Sequence, residues 1–320
     1  MNLHNDKELF GAAIKEAGDN LGIKEIFIEK DYWISMVLKR LSESKYVDSV
    51  VFKGGTSLSK GYKLINRFSE DVDIAVIATS GMSWNQIKTL IRTVEKEIAS
   101  DLKEVQVAEV TSKGSRFRKA VYQFPTILKH NQNFAVSDSI IVEINSFANP
   151  YPYQKLGIQS LIGEYLQNLN QEEFIKKYDL GSFKVNLLAK EQTLIEKLVS
   201  LIRVSFGDNS IESVSGKIRH FYDLYYLLQD NSCKNYVNSH EFKVQFGKVL
   251  LHDQQQFAEP LGWNTKKVQD SALVKDFGSF WNKLKGIYIN ELSLFAFSEI
   301  PDEKEVAKEI QKLLANLANA

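Results

Sequence analysis

The chain has 320 residues, 44% of them hydrophobic, and its 40 Lys plus Arg are balanced by 40 Asp plus Glu. That length suits two domains and holds a full core, while zero net charge excludes a global field for nucleic acid or an anionic membrane, so any such contact rests on a local patch. The single Cys233 excludes an internal disulfide or a cysteine cage, the five His show no zinc spacing, and with no membrane-length apolar run and a polar, acidic start the expectation is a soluble cytoplasmic protein with no membrane partner.

Two helices are predicted at the start. Leu9, Phe10, Ala13, Ile14 and Ala17 recur at helical spacing, and Ile28, Tyr32, Val37, Leu38 and Leu41 do so after Gly22. The period then changes. Residues 47–52 read as a short strand, Gly54 and Gly55 punctuate it, and residues 56–65 can form a short helix with Thr56 or Ser57 near its start. A second strand follows over 71–78, and an amphipathic helix over 84–100. Residues 105–111 and 116–124 read as a hairpin around Lys113 and Gly114, and 139–147 as a further strand.

Beyond Pro150 and Pro152 the pattern is largely helical, over 158–169, 191–204, 217–228 and further segments, with only 182–188 strand-like. The fold class is therefore α+β, a mixed sheet with helices followed by a helical bundle. A domain boundary is expected between Tyr151 and Lys190, dividing the chain into 1–189 and 190–320. No internal repeat or low-complexity tract is visible.

The stretch from Phe52 to Val76, "FKGGTSLSKGYKLINRFSEDVDIAV", carries the chemistry. A strand that ends in two glycines and turns into a helix presents backbone N–H groups that a phosphate can approach closely. On the next strand Asp71 and Asp73 leave one face while Val72 and Ile74 leave the other. Two carboxylates beside an anion seat suit magnesium-assisted phosphoryl chemistry. Glu143 is the candidate third carboxylate: it interrupts an apolar run, and an unpaired carboxylate there would be costly to bury. It either has a cation or hydrogen-bond partner or sits solvated on an exposed strand face. No Gly-x-x-x-x-Gly-Lys-Ser/Thr occurs, so this is not a P-loop.

"VFKGGTSLSKGY" followed by "RFSEDVDIAV" resembles the first motif of the nucleotidyltransferase superfamily that includes DNA polymerase β, and specifically the AbiEii/AbiGii toxin family. "IEKDYWISMVLKRL", "EQTLIEKLVSLIR" and "KIRHFYDLYYLL" are similar to further motifs of that family, in pieces from about Ile28 to Leu228. The resemblance implies a nucleotidyltransferase fold with a helical C-terminal part, and transfer of a nucleotidyl group from an NTP with release of pyrophosphate. It also implies a toxin with a separately encoded antitoxin and, for some members, tRNA as acceptor. Carried over by position, Lys53, Gly54, Gly55, Thr56 or Ser57, Arg67 and Ser69 would bind the nucleotide. Asp71, Asp73 and Glu143 would bind Mg2+, with Mn2+ as an alternative. Two departures from the superfamily stand out: Gly55 replaces a frequent serine, so a hydroxyl contact falls to Thr56 or Ser57, and the gap to Asp71 is long.

In the helix over 191–204, Leu194, Ile195, Leu198, Leu201 and Ile202 form one stripe and leave Lys190 and Lys197 on the opposite side. Lys197 is either a solvated surface charge or, as the resemblance implies, a cation that neutralises the triphosphate. Arg219 and Asp223 lie four residues apart, as in a local salt bridge. The resemblance instead places Asp223 at the active site, holding Lys197 or Arg219, with His220 as packing or a neutral hydrogen-bonder. Lys113, Arg116, Arg118 and Lys119, with Phe117 and Tyr122 nearby, could track an RNA backbone or form a charged surface. Two other functions remain open: transfer to a small molecule or protein, and a non-catalytic NTP-binding protein.

Overall fold

The computed structural model describes residues 1–79, 81–128 and 138–318; the last two residues of the expected C-terminal domain lie outside these. Contacts divide the chain into two compact units, Met1–Lys63 with Phe68–Leu188, and Leu64–Arg67 with Ala189–Ala320.

The first unit begins with helices α1 (Lys7–Leu21) and α2 (Glu25–Glu43), then β1 (Val50–Lys53), α3 (Gly54–Lys60), β2 (Asp71–Val76) and α4 (Trp84–Ile98). Strands β3 (Lys103–Val105), β4 (Ser112–Lys113), β5 (Phe117–Gln123), β6 (Ser139–Asn145) and β7 (Tyr153–Ile158) follow, then α5 (Leu161–Asn168), α6 (Glu172–Tyr178) and β8 (Phe183–Leu188). The sheet runs in the order β3-β5-β6-β2-β1-β8-β7, with β4 added on β5. It is mixed: β2 pairs β6 and β1 pairs β8 in parallel, whereas β1–β2, β5–β6 and β7–β8 are antiparallel.

Alternation sorts β2 and β6 into two faces. Val72, Ile74, Val142 and Ile144 are fully buried, while Asp71, Asp73 and Glu143 are half-buried. The buried face lies under α4, because Arg118 and Tyr122, in register with Ile144 and Ile140, both reach Glu95 of α4. Helix α2 packs beside α4 and on β6 and β8. The carboxylates thus leave the sheet on the side away from α4.

Several predicted elements differ. The short helix stops at Lys60, where Gly61 lies so close to Leu187 that a Cβ would overlap its side chain. Residues 153–158 form β7, not loop and helix start, because β8 supplies a ladder partner along its whole length and pairing overrides a sequence whose apolar face is only Leu156 and Ile158. The hairpin is β4–β5, with its turn at 114–116; of the region 105–111 only Val105 is in a strand. The helix predicted over 217–228 is α9 (Arg219–Gln229), and a further short helix, Ser210–Ser215, precedes it.

The second unit is helical: α7 (Lys190–Val204), α8 (Ser210–Ser215), α9 (Arg219–Gln229), α10 (Asn231–Val237), α11 (His240–Gln256), α12 (Ala272–Lys275), α13 (Phe277–Phe295) and α14 (Glu303–Ala318). Leu194, Ile195, Leu198, Leu201 and Ile202 of α7 are all fully buried, and Val306, Ile310, Leu313 and Leu314 of α14 are core as well. Among the described residues no helix is long and apolar enough to cross a membrane.

Candidate active site

A row of four charges crosses the sheet of the first unit. Lys53 of β1 pairs in register with Asp73 of β2, Asp73 with Glu143 of β6, and Glu143 with Lys119 of β5. Register partners share a face, so two carboxylates stand side by side between two ammonium groups, and Asp71 adds a third two residues along. The Lys119 Nζ lies 3.7 Å from a Glu143 carboxylate oxygen. Glu143 is therefore partnered and half-buried, which falls between the two alternatives of the sequence.

Gly54 adjoins this row. Its φ is +80°, a left-handed conformation that glycine adopts without strain, and a Cβ there would overlap the Asp73 carboxylate. The backbone can thus lie against Asp73 only without a side chain. Behind it, the buried Thr56 hydroxyl donates to the Asp71 carbonyl at 2.5 Å and the Ser57 hydroxyl to the Gly54 carbonyl at 2.9 Å. Both protons are committed inward, so Thr56 and Ser57 hold the turn. Ser69 is half-buried in the loop before Asp71.

A second group belongs to the helical unit. Asp223 on α9 is fully buried; Arg67 grips both its carboxylate oxygens along one edge of the guanidinium, Nε donating at 2.7 Å and Nη2 at 2.6 Å, and Lys197 Nζ from α7 lies 2.8 Å away. Burial alone would raise the Asp223 pKa, but the two adjacent cations outweigh it and hold the carboxyl far below the ordinary range. His220 is kept neutral, by burial first and then by Lys197 and Lys217. The surface reading of Lys197 is corrected, since it is only 7% exposed: α9 presents a carboxylate that its ammonium can reach. So is the local pair, because Arg219 lies against Glu291 at 3.9 Å and Asp223 holds Lys197 instead.

The basic residues of the hairpin are engaged as well. Lys113 pairs with Glu104 at 2.5 Å, Arg118 with the buried Glu95, Lys119 with Glu143, and Arg116 stacks over Trp84 at 5.0 Å. Little unbalanced charge remains there for a phosphate backbone.

Helix α2, on the other side of the sheet, carries three buried charges that sequence reasoning did not single out. Glu29, Lys30 and Asp31 are all buried. Glu29 accepts from Thr126 and Ile127, Lys30 pairs with Glu70 at 2.7 Å, and Asp31 pairs with Lys60 and accepts from the Leu161 N–H. The available signal was positional: Lys30 and Asp31 occupy the i+3 and i+4 places of the stripe Phe27, Ile34, Val37, Leu38 and Leu41, where a helix carries core residues.

Among the described residues no three His, Cys, Asp or Glu side chains already converge as a metal group. The donor chemistry of the carboxylate row nonetheless suits a hard divalent cation: oxygen ligands only, half-solvated, on adjacent strands.

A family model described as "Nucleotidyl transferase AbiEii toxin, Type IV TA system" matches residues 37–314. No curated protein matches the chain. Among solved structures, MenT4, a nucleotidyltransferase toxin from Mycobacterium tuberculosis, is similar over 92% of this chain and 94% of its own, at 16% identity and a TM-score of 0.46.

Proposed function

Because this chain belongs to the AbiEii family of nucleotidyl transferase toxins of type IV toxin–antitoxin systems, we propose that it moves a nucleotidyl group from an NTP to an RNA acceptor, tRNA foremost. The observation that carries this reading is the register of Asp73 with Glu143, with Asp71 on the same face and Gly54 against it. In the transfer an acceptor hydroxyl oxygen bonds to the α-phosphorus, the bond from that phosphorus to the bridging oxygen breaks, and pyrophosphate leaves.

Asp71, Asp73 and Glu143 would hold Mg2+ or Mn2+. When bound, the cation would supply charge to offset the triphosphate and activate the attacking hydroxyl. The backbone of Gly54 and Gly55 and the N–H groups opening α3 seat the phosphates, with Lys53 beside them. Thr56 and Ser57 fix that backbone. Lys197 neutralises the departing pyrophosphate, Asp223 fixes its ammonium, and Arg67 secures Asp223. The protein acts in the cytoplasm and is restrained by its antitoxin. A small-molecule or protein acceptor is the second reading, favoured by the charge pairing of the hairpin bases.

Purified protein incubated with magnesium, each α-labelled NTP and total bacterial RNA, beside Asp73→Ala, tests both. Label in one RNA band, lost in the variant, supports the RNA reading. Label only in a small product or a protein moves the acceptor to that class, and retained turnover in Asp73→Ala overturns the metal-ligand assignment.

A further inference from the structure

Helix α2 drives a charge into the core beside the strand that bears Asp71 and Asp73. Lys30 is 1% exposed, its Nζ lies 2.7 Å from Glu70, and it sits 5.7 Å over the Phe68 ring, which stacks on Phe27. Burying an ammonium and holding a carboxylate against it is costly, and an apolar pair of similar volume would commonly be neutral or better for stability. A role in specifying geometry explains its presence.

That geometry is set by parity. Glu70 immediately precedes Asp71, the first residue of β2. Holding Glu70 to α2 turns the next residue, Asp71, to the opposite face, and Asp73 with it. A slip by one residue would point both carboxylates into the helix layer and bring Val72 and Ile74 out. The segment before β2 is bridged at Arg67 to Ala296, and the ladder with β6 begins only at Asp71; between them, over residues 68–70, the ion pair from α2 pins the backbone, and the Thr56 hydroxyl bond from α3 holds the Asp71 carbonyl. Lys30 also lies before the residues that the family model matches.

We propose that Lys30 is a positioning residue: through Glu70 it fixes the start of β2 so that Asp71 and Asp73 emerge together on the face shared with Glu143. The geometric part stands on the ion pair; its bearing on turnover rests on the nucleotidyl-transfer reading.

The test is hydrogen–deuterium exchange of the metal-free protein, comparing wild type, Lys30→Met, Lys30→Arg, Glu70→Gln and the double variant Lys30→Met/Glu70→Gln. Methionine fills the volume of the lysine stem without its charge. Exchange over residues 68–76 accelerates at least ten-fold in Lys30→Met, stays unchanged over α4, and returns toward wild type in Lys30→Arg. The double variant exchanges no faster than either single one, since both remove the same link. Unchanged exchange over 68–76 overturns the proposal, and so does uniform acceleration across the unit, which would make Lys30 a general stability residue. In the same preparations the magnesium concentration for half-maximal transfer rises at least five-fold in Lys30→Met. If exchange responds as stated and wild type transfers no label to any acceptor, the pin stands and the functional reading fails.

Discussion

Asp73 of β2 and Glu143 of β6 are register partners on adjacent parallel strands, separated by 70 positions in sequence and by one inter-strand spacing in the fold. On the same face Asp71 lies two residues before Asp73, so three carboxylates share one half-solvated patch. Removing either register partner is expected to lower nucleotidyl transfer by on the order of 100-fold or more. Asp73→Asn and Glu143→Gln should unfold within about 1 kcal/mol of wild type, since the Lys119 pair is partly exposed and worth little. Transfer rates and denaturant midpoints measured together check this; a variant that loses activity only because it unfolds would contradict it.

Gly54 and Gly22 make a matched comparison. Both have positive φ, +80° and +66°, but a Cβ at Gly54 would overlap the Asp73 carboxylate while one at Gly22 meets nothing within 4 Å. Gly22→Ala is expected to cost about 1 kcal/mol of conformational strain and leave turnover unchanged. Gly54→Ala carries the same strain and displaces Asp73, so it should abolish transfer. Equal activity in the two variants would show that the approach to Asp73 is unimportant.

Asp223 joins Arg67 and Lys197, all buried. Asp223→Ala leaves two buried cations without their anion and is expected to destabilise by about 3–5 kcal/mol, far more than Asp71→Ala. The sign with pH follows from its depressed pKa. This carboxylate stabilises the fold above the ordinary carboxylate range, and that contribution is lost as pH falls below it. Chemical denaturation from pH 7 down to pH 3 should show a smaller acid-induced loss in Asp223→Ala than in wild type.

Asp230 caps α10, accepting from the Ser232 and Cys233 N–H groups, and pairs with Lys190 at 2.7 Å. Burial opposes ionisation, but the Lys190 hydrogen bond and the cap outweigh it and bring the pKa from 3.8 to about 2. Asp230→Ala is expected to cost about 1 kcal/mol near neutral pH. The difference from wild type should shrink as pH falls from the unfolded value near 3.8 toward about 2. A constant difference across that window would remove the carboxylate as its cause.

Local order made much of this protein legible. The strand, glycine pair, short helix and second strand follow from neighbouring residues, and two-residue alternation places Asp71 and Asp73 on one face whatever surrounds them. The apolar stripe of α7 was likewise readable, because a helical period selects Leu194, Ile195, Leu198, Leu201 and Ile202 without knowledge of their partners. The motifs together identified the family.

What local order could not supply was pairing across distance. Strand β7 has only Leu156 and Ile158 on its apolar face and exists because β8 offers it a ladder; spacing alone left Lys197 between a surface charge and a site cation, because the buried Asp223 that receives it lies on another helix. Lys30 stood at a core position of α2, yet its partner Glu70 is 40 residues away. A charge is solvated or buried according to what the folded chain brings against it. Spacing along the sequence sets which way a side chain leaves its own element, and tertiary packing decides whether water, an ion partner or a neighbouring carboxylate meets it there.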